Sequence, residues 1–434
     1  MKIGIIGGTR GLGKTLAWFF KEDGFDVTIT GRDSVVGELV SGDLGVRYSS
    51  DNVGVVESSD IVIISVPIAS TLGVIEDLAP HMSEGSLLID VTSVKENPSR
   101  VMAEFTPEGV DFIPMHPVFG PRTSDLDGQV IVLTPVVNGF WYDRVKRYLI
   151  SKKMRVIETS PEKHDRMMSI VQVLTHFAYI STAYTIAKLN VNIKDTQDFE
   201  SPIYNLMLDT IARIVSQNPF LTYSIQFENN QGNLVRDTFA EAVNELKGAI
   251  FEGDEKSFVD MAIMATKNMG DIQSALGRSD KAVNSLNHEN RLLKKSLGKF
   301  IGLRHIYSGK IHVGVLDELG SEFLILKSNK RFHKLKISNI EVLSDEELFK
   351  WRVDNQPIIN RFISCIFPSS SDSEVICGVL AGVRDVIDVS VSDVYEGHQI
   401  KKGFISFTFK VNALSEDVFD DIISILKGFG GLIR

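Results

Sequence analysis

At 434 residues the chain is too long for one hydrophobic core, so roughly two to four domains are expected. Hydrophobic residues make up 43% and charged residues 24%, and the formal net charge of −10 argues against nucleic acid or an anionic membrane as the main partner. Two cysteines, Cys365 and Cys377, without a CxxC pair, fit buried thiols in a reducing cytoplasm rather than a disulfide framework.

Residues 1–158 alternate short apolar runs with helical patterns. KIGIIG, FDVTIT, IVIISVP, SLLIDVT, DFIPM, QVIVLT and MRVIET are the strand candidates. Apolar throughout, they fit a mostly parallel sheet buried on both faces, as in an α/β Rossmann-type dinucleotide-binding domain. A strand starting at residue 2 leads us to expect no signal peptide, and IVIISVPIA is far short of a bilayer span.

Between the first strand and first helix lie Gly7, Gly8, Thr9, Arg10, Gly11, Leu12 and Gly13. Glycines there permit a tight turn and let a phosphate approach the amides of the helix N-terminus, which points to NAD or NADP. The second strand ends TGRD, placing Arg32 and Asp33 together. An acid at that point binds a ribose diol, whereas an arginine holds a 2′-phosphate; Arg32, with Arg10 nearby in sequence, favours NADP. Val66 and Pro67 end strand four, where such a domain meets its nicotinamide.

IDVTSVK carries Ser93 and Lys95 past the carboxyl end of strand five, the ligand-binding side of such sheets. Ser93 also suits a helix N-cap before VKENPS. Then comes MHPVFGP, residues 115–121, with His116 between Met115 and Pro117. Prolines lack the donor and fix φ, so we expect a stiff loop that cannot continue the strand. It should hold His116 at the reacting end of the cofactor.

At SPEKHDRMM the pattern becomes helical, with Ser160 as N-cap, Pro161 in the first position, and Glu162 and Asp165 at the positive end. One helix should carry His164, Asp165, Gln172 and His176. Residues 159–297 form an all-α domain apolar enough to need another layer, which suggests a homodimer. His164 and His176 lie about 18 Å apart along a helix, too far to share a metal, and no ligand spacing occurs elsewhere, so no metal is expected. Residues 298–355 look like a small β-rich connector. Residues 356–434 read as βαββαβ, an α+β ferredoxin-like module.

Strand-end VP, DVTSVK, HPVFGP, the HD…QxLxHF helix and SPIYNLMLDTIARIVSQNP together resemble prephenate dehydrogenase of the tyrosine pathway, over roughly residues 1–260. The resemblance implies oxidative decarboxylation of prephenate to 4-hydroxyphenylpyruvate with hydride transfer to NAD(P)+. It implies that His116 bonds the ring hydroxyl, supported by Ser93, and that Arg213 binds a substrate carboxylate. It also places His176, Asp165 and Gln172 on the substrate side. Arg122 stands where some members have an acid and Asp209 where others have a base, which leaves arogenate open as the substrate. A neutral imidazole near its ordinary pKa suits removal of the hydroxyl proton. The C-terminal module resembles ACT-type regulatory domains, implying tyrosine as feedback inhibitor, and also the ferredoxin-fold anticodon-binding domain. Two other NADP-dependent classes share fragments: the Gly7…Gly11…Gly13 loop and the Tyr184–Lys188 pair fit short-chain dehydrogenases, and the GGT start fits deazaflavin:NADP oxidoreductases.

Overall fold

The computed structural model describes residues 1–136, 139–196, 199–328 and 331–434. The chain forms two compact units, Met1–Ile272 and Gln273–Arg434.

The first unit begins with β1 (Lys2–Ile6), α1 (Gly11–Glu22), β2 (Asp26–Thr30), α2 (Ser34–Leu44), β3 (Arg47–Ser49), α3 (Asn52–Glu57), β4 (Ile61–Ile64), α4 (Ile68–Leu78), β5 (Leu87–Asp90) and α5 (Glu96–Phe105). β6 (Asp111–Pro117), β7 (Val130–Leu133), α6 (Tyr142–Ser151) and β8 (Arg155–Glu158) follow. The eight strands make one sheet in the order β3-β2-β1-β4-β5-β6-β7-β8. It is parallel from β3 to β6; β7 and β8 run the other way. Successive residues of β4 feed opposite cores, Ile61 and Ile63 into one and Val62 and Ile64 into the other. Burying each such side chain contributes about 1.5–3 kcal/mol, and this is why the strands carry no polar alternation.

Two expectations need correcting here. The short strand β3, RYS, was absent from the strand candidates because three residues with polar ends give no periodic signal. The HPVFGP segment does not leave the sheet at once: β6 continues through Met115, His116 and Pro117. β5 pairs with β6 only as far as Pro114, and β7 takes over at Met115–Pro117. Along those last residues one edge of β6 is free, so proline's missing donor breaks no ladder.

The helical part comprises α7 (Pro161–Met168), a π-turn (Ser169–Leu174), α8 (Thr175–Lys188), α9 (Ile193–Thr196), α10 (Pro202–Val215), α11 (Pro219–Glu228), α12 (Gly232–Glu252) and α13 (Glu255–Asn268). The Ser160 hydroxyl caps α7 by accepting the Lys163 N–H, with Pro161 in the first turn. The expected single helix is therefore interrupted by a π-turn. Residues 161–188 are long and apolar enough to cross a membrane by length and composition, and little of this surface is buried within the chain.

The second unit opens with α14 (Ile272–Lys295), which the sequence reading placed in the helical domain ending at 297. Leu293 instead packs into a core with Ile301, Leu303, Leu316 and Leu324. That core belongs to a five-stranded antiparallel sheet: β9 (Phe300–His305), β10 (Ile311–Leu319), β11 (Phe323–Ser328), β12 (Arg331–Lys336) and β13 (Ile340–Val342). α15 (Asp345–Asn355) follows, held by a Ser344–Glu347 capping box. The last stretch is β14 (Ile359–Pro368), α16 (Ser373–Ala381), β15 (Val386–Tyr395), β16 (Phe404–Ala413), α17 (Val418–Gly428) and β17 (Leu432–Ile433). Its sheet order, β15-β16-β14-β17, is that of the ferredoxin-like fold.

Candidate active site

The β1–α1 turn is shaped for a ligand's phosphates. Gly7 has φ +87°, and a Cβ there would collide with the Ser65 carbonyl at the end of β4. A Cβ on Gly13 would come within 2.5 Å of the Gly7 carbonyl. Glycine at both places brings backbone and helix start together, and α1 lacks a side-chain cap, so its first amides face outward. Thr9 is buried in the turn, and the Gly7 amide donates to the Thr30 hydroxyl at 3.4 Å. This cradle fits a dinucleotide pyrophosphate. At the end of β2, Asp33 caps α2 by accepting the Val36 N–H at 3.2 Å and pairs with Arg10 at 3.4 Å. Arg32 beside it is exposed and has no side-chain partner among the described residues.

At the carboxyl ends of β5 and β6 lies a buried polar chain. His116, 2% exposed, meets His164 through Nδ1 and Nε2 at 2.9 Å, their rings edge to face. His164 Nδ1 lies 2.7 Å from Asp165 Oδ1. The same carboxylate accepts the Lys95 N–H at 2.7 Å and the Glu96 N–H at 3.0 Å, at the N-terminus of α5. Asn229 donates to the Asp165 backbone carbonyl at 2.9 Å. The Gln172 amide, in the π-turn, stands 3.4 Å from His116 Nε2. Lys95, fully buried, forms an ion pair with Asp90 at the end of β5, and Thr92 donates to the same oxygen at 2.6 Å. Burial, with His164 and Lys95 adding repulsion, pushes the His116 imidazole well below its ordinary pKa. The expectation of an unshifted imidazole is corrected accordingly: the ring stays neutral to lower pH.

The sequence matches the family description "Prephenate dehydrogenase, nucleotide-binding domain" over residues 16–158 and "Prephenate dehydrogenase, dimerization domain" over 160–266. A protein of Methanocaldococcus jannaschii named "Probable arogenate/prephenate dehydrogenase" is 40% identical over 442 residues, covering 100% of this chain and 98% of that one. The chain belongs to the prephenate dehydrogenase family. A "T-protein" of Haemophilus influenzae is 29% identical over 262 residues, 60% of this chain and 64% of its own length. A solved prephenate dehydrogenase of A. aeolicus, in complex with hydroxyphenyl propionate and NAD+, shares the fold. Its TM-score is 0.51 at 21% identity, over 63% of this chain and 98% of that one. Members of this family are NAD(P)-dependent oxidoreductases, in keeping with the cradle.

Among the sequence-derived residues, His116 and Gln172 meet directly. Asp165 does not face an open site. It is 1% exposed, with its carboxylate occupied by α5 and His164, so its place is behind His116 rather than against substrate. Ser93 does not cap α5, because Asp165 does so from 70 residues away; the Ser93 hydroxyl engages no hydrogen bond among the described residues. His176, one turn beyond Gln172, is half-buried with an unpartnered Nδ1, and burial lowers its pKa. Arg213 is exposed on α10, which packs on α8, and its guanidinium is unpaired among the described residues. Val66 and Pro67 lie at the β4–α4 junction. Tyr184 sits on the outer face of α8, 64% exposed, with the Lys188 ammonium 5.5 Å from its ring centroid. That placement is unlike a buried catalytic pair.

His164 and Asn229 were missed as site residues. His164 stands in plain sight beside Asp165 in the sequence, whereas Asn229 reaches the Asp165 carbonyl across 64 residues and leaves no local signal.

Proposed function

We propose that this chain oxidatively decarboxylates prephenate to 4-hydroxyphenylpyruvate with NAD(P)+ as oxidant, in tyrosine biosynthesis. The observation that carries the reading is His116: a buried, neutral imidazole at the carboxyl end of the sheet, oriented through Nδ1 by His164. NAD(P)+, held at the glycine cradle of the β1–α1 turn, would supply the acceptor for the hydride of the ring carbinol carbon. His116 Nε2 draws off the hydroxyl proton, a contribution of roughly 10²–10⁴-fold for positioned proton transfer. Ser93 steadies the same hydroxyl. Prephenate is a dicarboxylate, and the unpaired Arg213 guanidinium can grip one carboxylate bidentately. His176, one turn beyond Gln172 with a buried Nδ1 that has no partner among the described residues, is assigned to the substrate side. Loss of carbon dioxide is driven by aromatisation, so the protein needs chiefly to orient the substrate.

The large apolar side chains exposed on the helical part, among them Met167, Ile170, Val171, Tyr223, Phe227 and Phe251, support a homodimer built on this part of the chain. The charged turn Glu162–Arg166 at the start of the 161–188 helix, with His164 and Asp165 bound into the site, favours a second copy over a membrane as its cover. The ferredoxin-like module is read as a regulatory domain binding tyrosine, and the two free cysteines fit a cytoplasmic setting.

Reduced-cofactor absorbance with prephenate or arogenate, using NAD and NADP in turn, tests the reading. Turnover with prephenate is expected, and none with either substrate would sink it. Arogenate is the second reading, because the relative spanning the whole chain is named for both substrates. Added tyrosine should slow the reaction if the module regulates it.

A further inference from the structure

The buried chain admits one set of neutral tautomers. The Asp165 carboxylate accepts two backbone N–H groups, and His164 Nδ1, 2.7 Å from it, must carry hydrogen to donate as well. A neutral His164 then has a bare Nε2, so His116 Nδ1, 2.9 Å away, must be the donor. The free lone pair of His116 is left on Nε2, where the Gln172 amide can donate. All hydrogens point one way, from Gln172 toward Asp165.

We propose that His164 and Asp165 are positioning residues that form a closed proton store behind His116. They fix its Nε2 as the base and take the positive charge off it during the oxidation step. The inference rests on the reading of the chain as a prephenate-oxidising enzyme. As hydride leaves the carbinol carbon, the O–H bond breaks, its electron pair becomes the new carbonyl bond, and the proton joins His116 Nε2. The His116 Nδ1–H bond breaks as a His164 Nε2–H bond forms, so the charge rests on His164 against Asp165. When the C–C bond to the carboxylate breaks, its electron pair passes through the ring to the same oxygen. The proton returns by the reverse path. Prephenate dianion and NAD+ give 4-hydroxyphenylpyruvate monoanion, carbon dioxide and NADH with no net proton released. A reaction of that balance needs a proton to be lent and returned, not discharged. His164 and Asp165, each 1% exposed, suit this because no solvent exit is required.

His116 faces His164 from α7 and Lys95 from the start of α5, and β7 presents only Val132 opposite it. Lys95 is paired with Asp90, and what remains of its repulsion falls on His116, which favours passing the charge on to His164 beside Asp165.

Two measurements decide the matter. In ¹⁵N spectra of histidine-labelled full-length protein without substrate, His116 should show hydrogen on Nδ1 and His164 likewise on Nδ1. Hydrogen on His116 Nε2 would overturn the proposal, whether or not the protein turns over prephenate. In His164→Phe the Asp165 cap on α5 is retained. There kcat should fall about 10²-fold, within the range for positioned proton transfer, with KM for prephenate and NAD(P) affinity within twofold. The acid limb of the kcat–pH profile should move, because the first proton taken up is then held by His116 alone and neither repelled by nor shared with His164. An unchanged limb and kcat would show that His164 merely fills space. If the variant does not fold, the tautomer spectrum of the unmodified protein still decides. Absence of turnover in the unmodified protein would instead refute the substrate reading.

Discussion

Asp165, on α7, accepts the backbone N–H of Lys95 at 2.7 Å and so closes the start of a helix 70 residues earlier in the chain. One carboxylate thus ties the helical part to the nucleotide-binding sheet and, through His164, holds the His116 imidazole. Asp165→Ala should therefore cost stability as well as activity. It leaves buried amide donors without an acceptor at roughly 1–3 kcal/mol each, so a loss of about 3 kcal/mol is expected. Denaturant unfolding measures it, and a change below about 0.5 kcal/mol, the usual surface value, would contradict the capping role.

His116→Asn keeps a polar group of similar size but removes the base. With prephenate and cofactor saturating, kcat should fall roughly 10²–10⁴-fold, whereas KM should change little. Wild-type turnover by this variant would take His116 out of the mechanism.

How much of this could be read from the chain alone follows the range of the interactions. Apart from the polar β3, the Rossmann strands were legible because each is a local apolar run, and Gly7 and Gly13 because their backbone demands show as residue type. The ferredoxin-like module was legible for the same reason, with RFISCIF and GFISFTFKV standing where β14 and β16 stand. What stayed hidden was decided at distance. Nothing local says that Asp165 caps α5 or that Asn229 holds the Asp165 carbonyl. The π-turn that brings Gln172 to His116 is likewise set by packing. The placement of α14 turned on Leu293 and Glu289, whose partners Leu303 and Val342 come later in sequence. The capping box at Ser344 and Glu347, by contrast, was a local signal for α15 that went unused.

Arg213 makes no ion pair among the described residues, so its removal should leave the fold alone. For Arg213→Ala the expected result is a KM for prephenate raised by about 10–100-fold, in line with loss of a charge-assisted pair of about 1.5–3 kcal/mol. KM for NAD(P) and the melting temperature should hold steady. An unaltered KM for prephenate would separate Arg213 from the substrate carboxylate.

Stability should fall on mild acidification. The folded-state pKa of His116 lies well below that of a free imidazole because of burial, then His164 and Lys95. Between the folded value and about 6.5 the unfolded chain binds more protons, so folding stability rises with pH in that window. The contribution is complete above about pH 6.5 and is lost as pH drops below it, by up to about 1.4 kcal/mol per pH unit for a fully shifted group. His176, lowered by burial, acts in the same direction. Guanidinium unfolding between pH 5 and 8 should show this slope, and His116→Asn should flatten it; equal slopes for the two proteins would place the acid sensitivity elsewhere.

Cofactor preference turns on the end of β2. Asp33 is engaged by the Val36 amide and by Arg10, which draws it away from a ribose diol, while the neighbouring Arg32 has no partner among the described residues. An exposed guanidinium beside the adenosine end suits a 2′-phosphate, and NADP should be the better substrate. Arg32→Ala should raise KM for NADP about tenfold, the equivalent of about 1.4 kcal/mol, and leave KM for NAD within twofold. Raising the salt concentration should weaken NADP binding more than NAD binding in the unmodified protein, since an exposed charge pair is screened. Equal effects of the substitution on both cofactors would mean that Arg32 does not contact the 2′-phosphate, and that specificity is set by the turn around Thr9 and Arg10 instead.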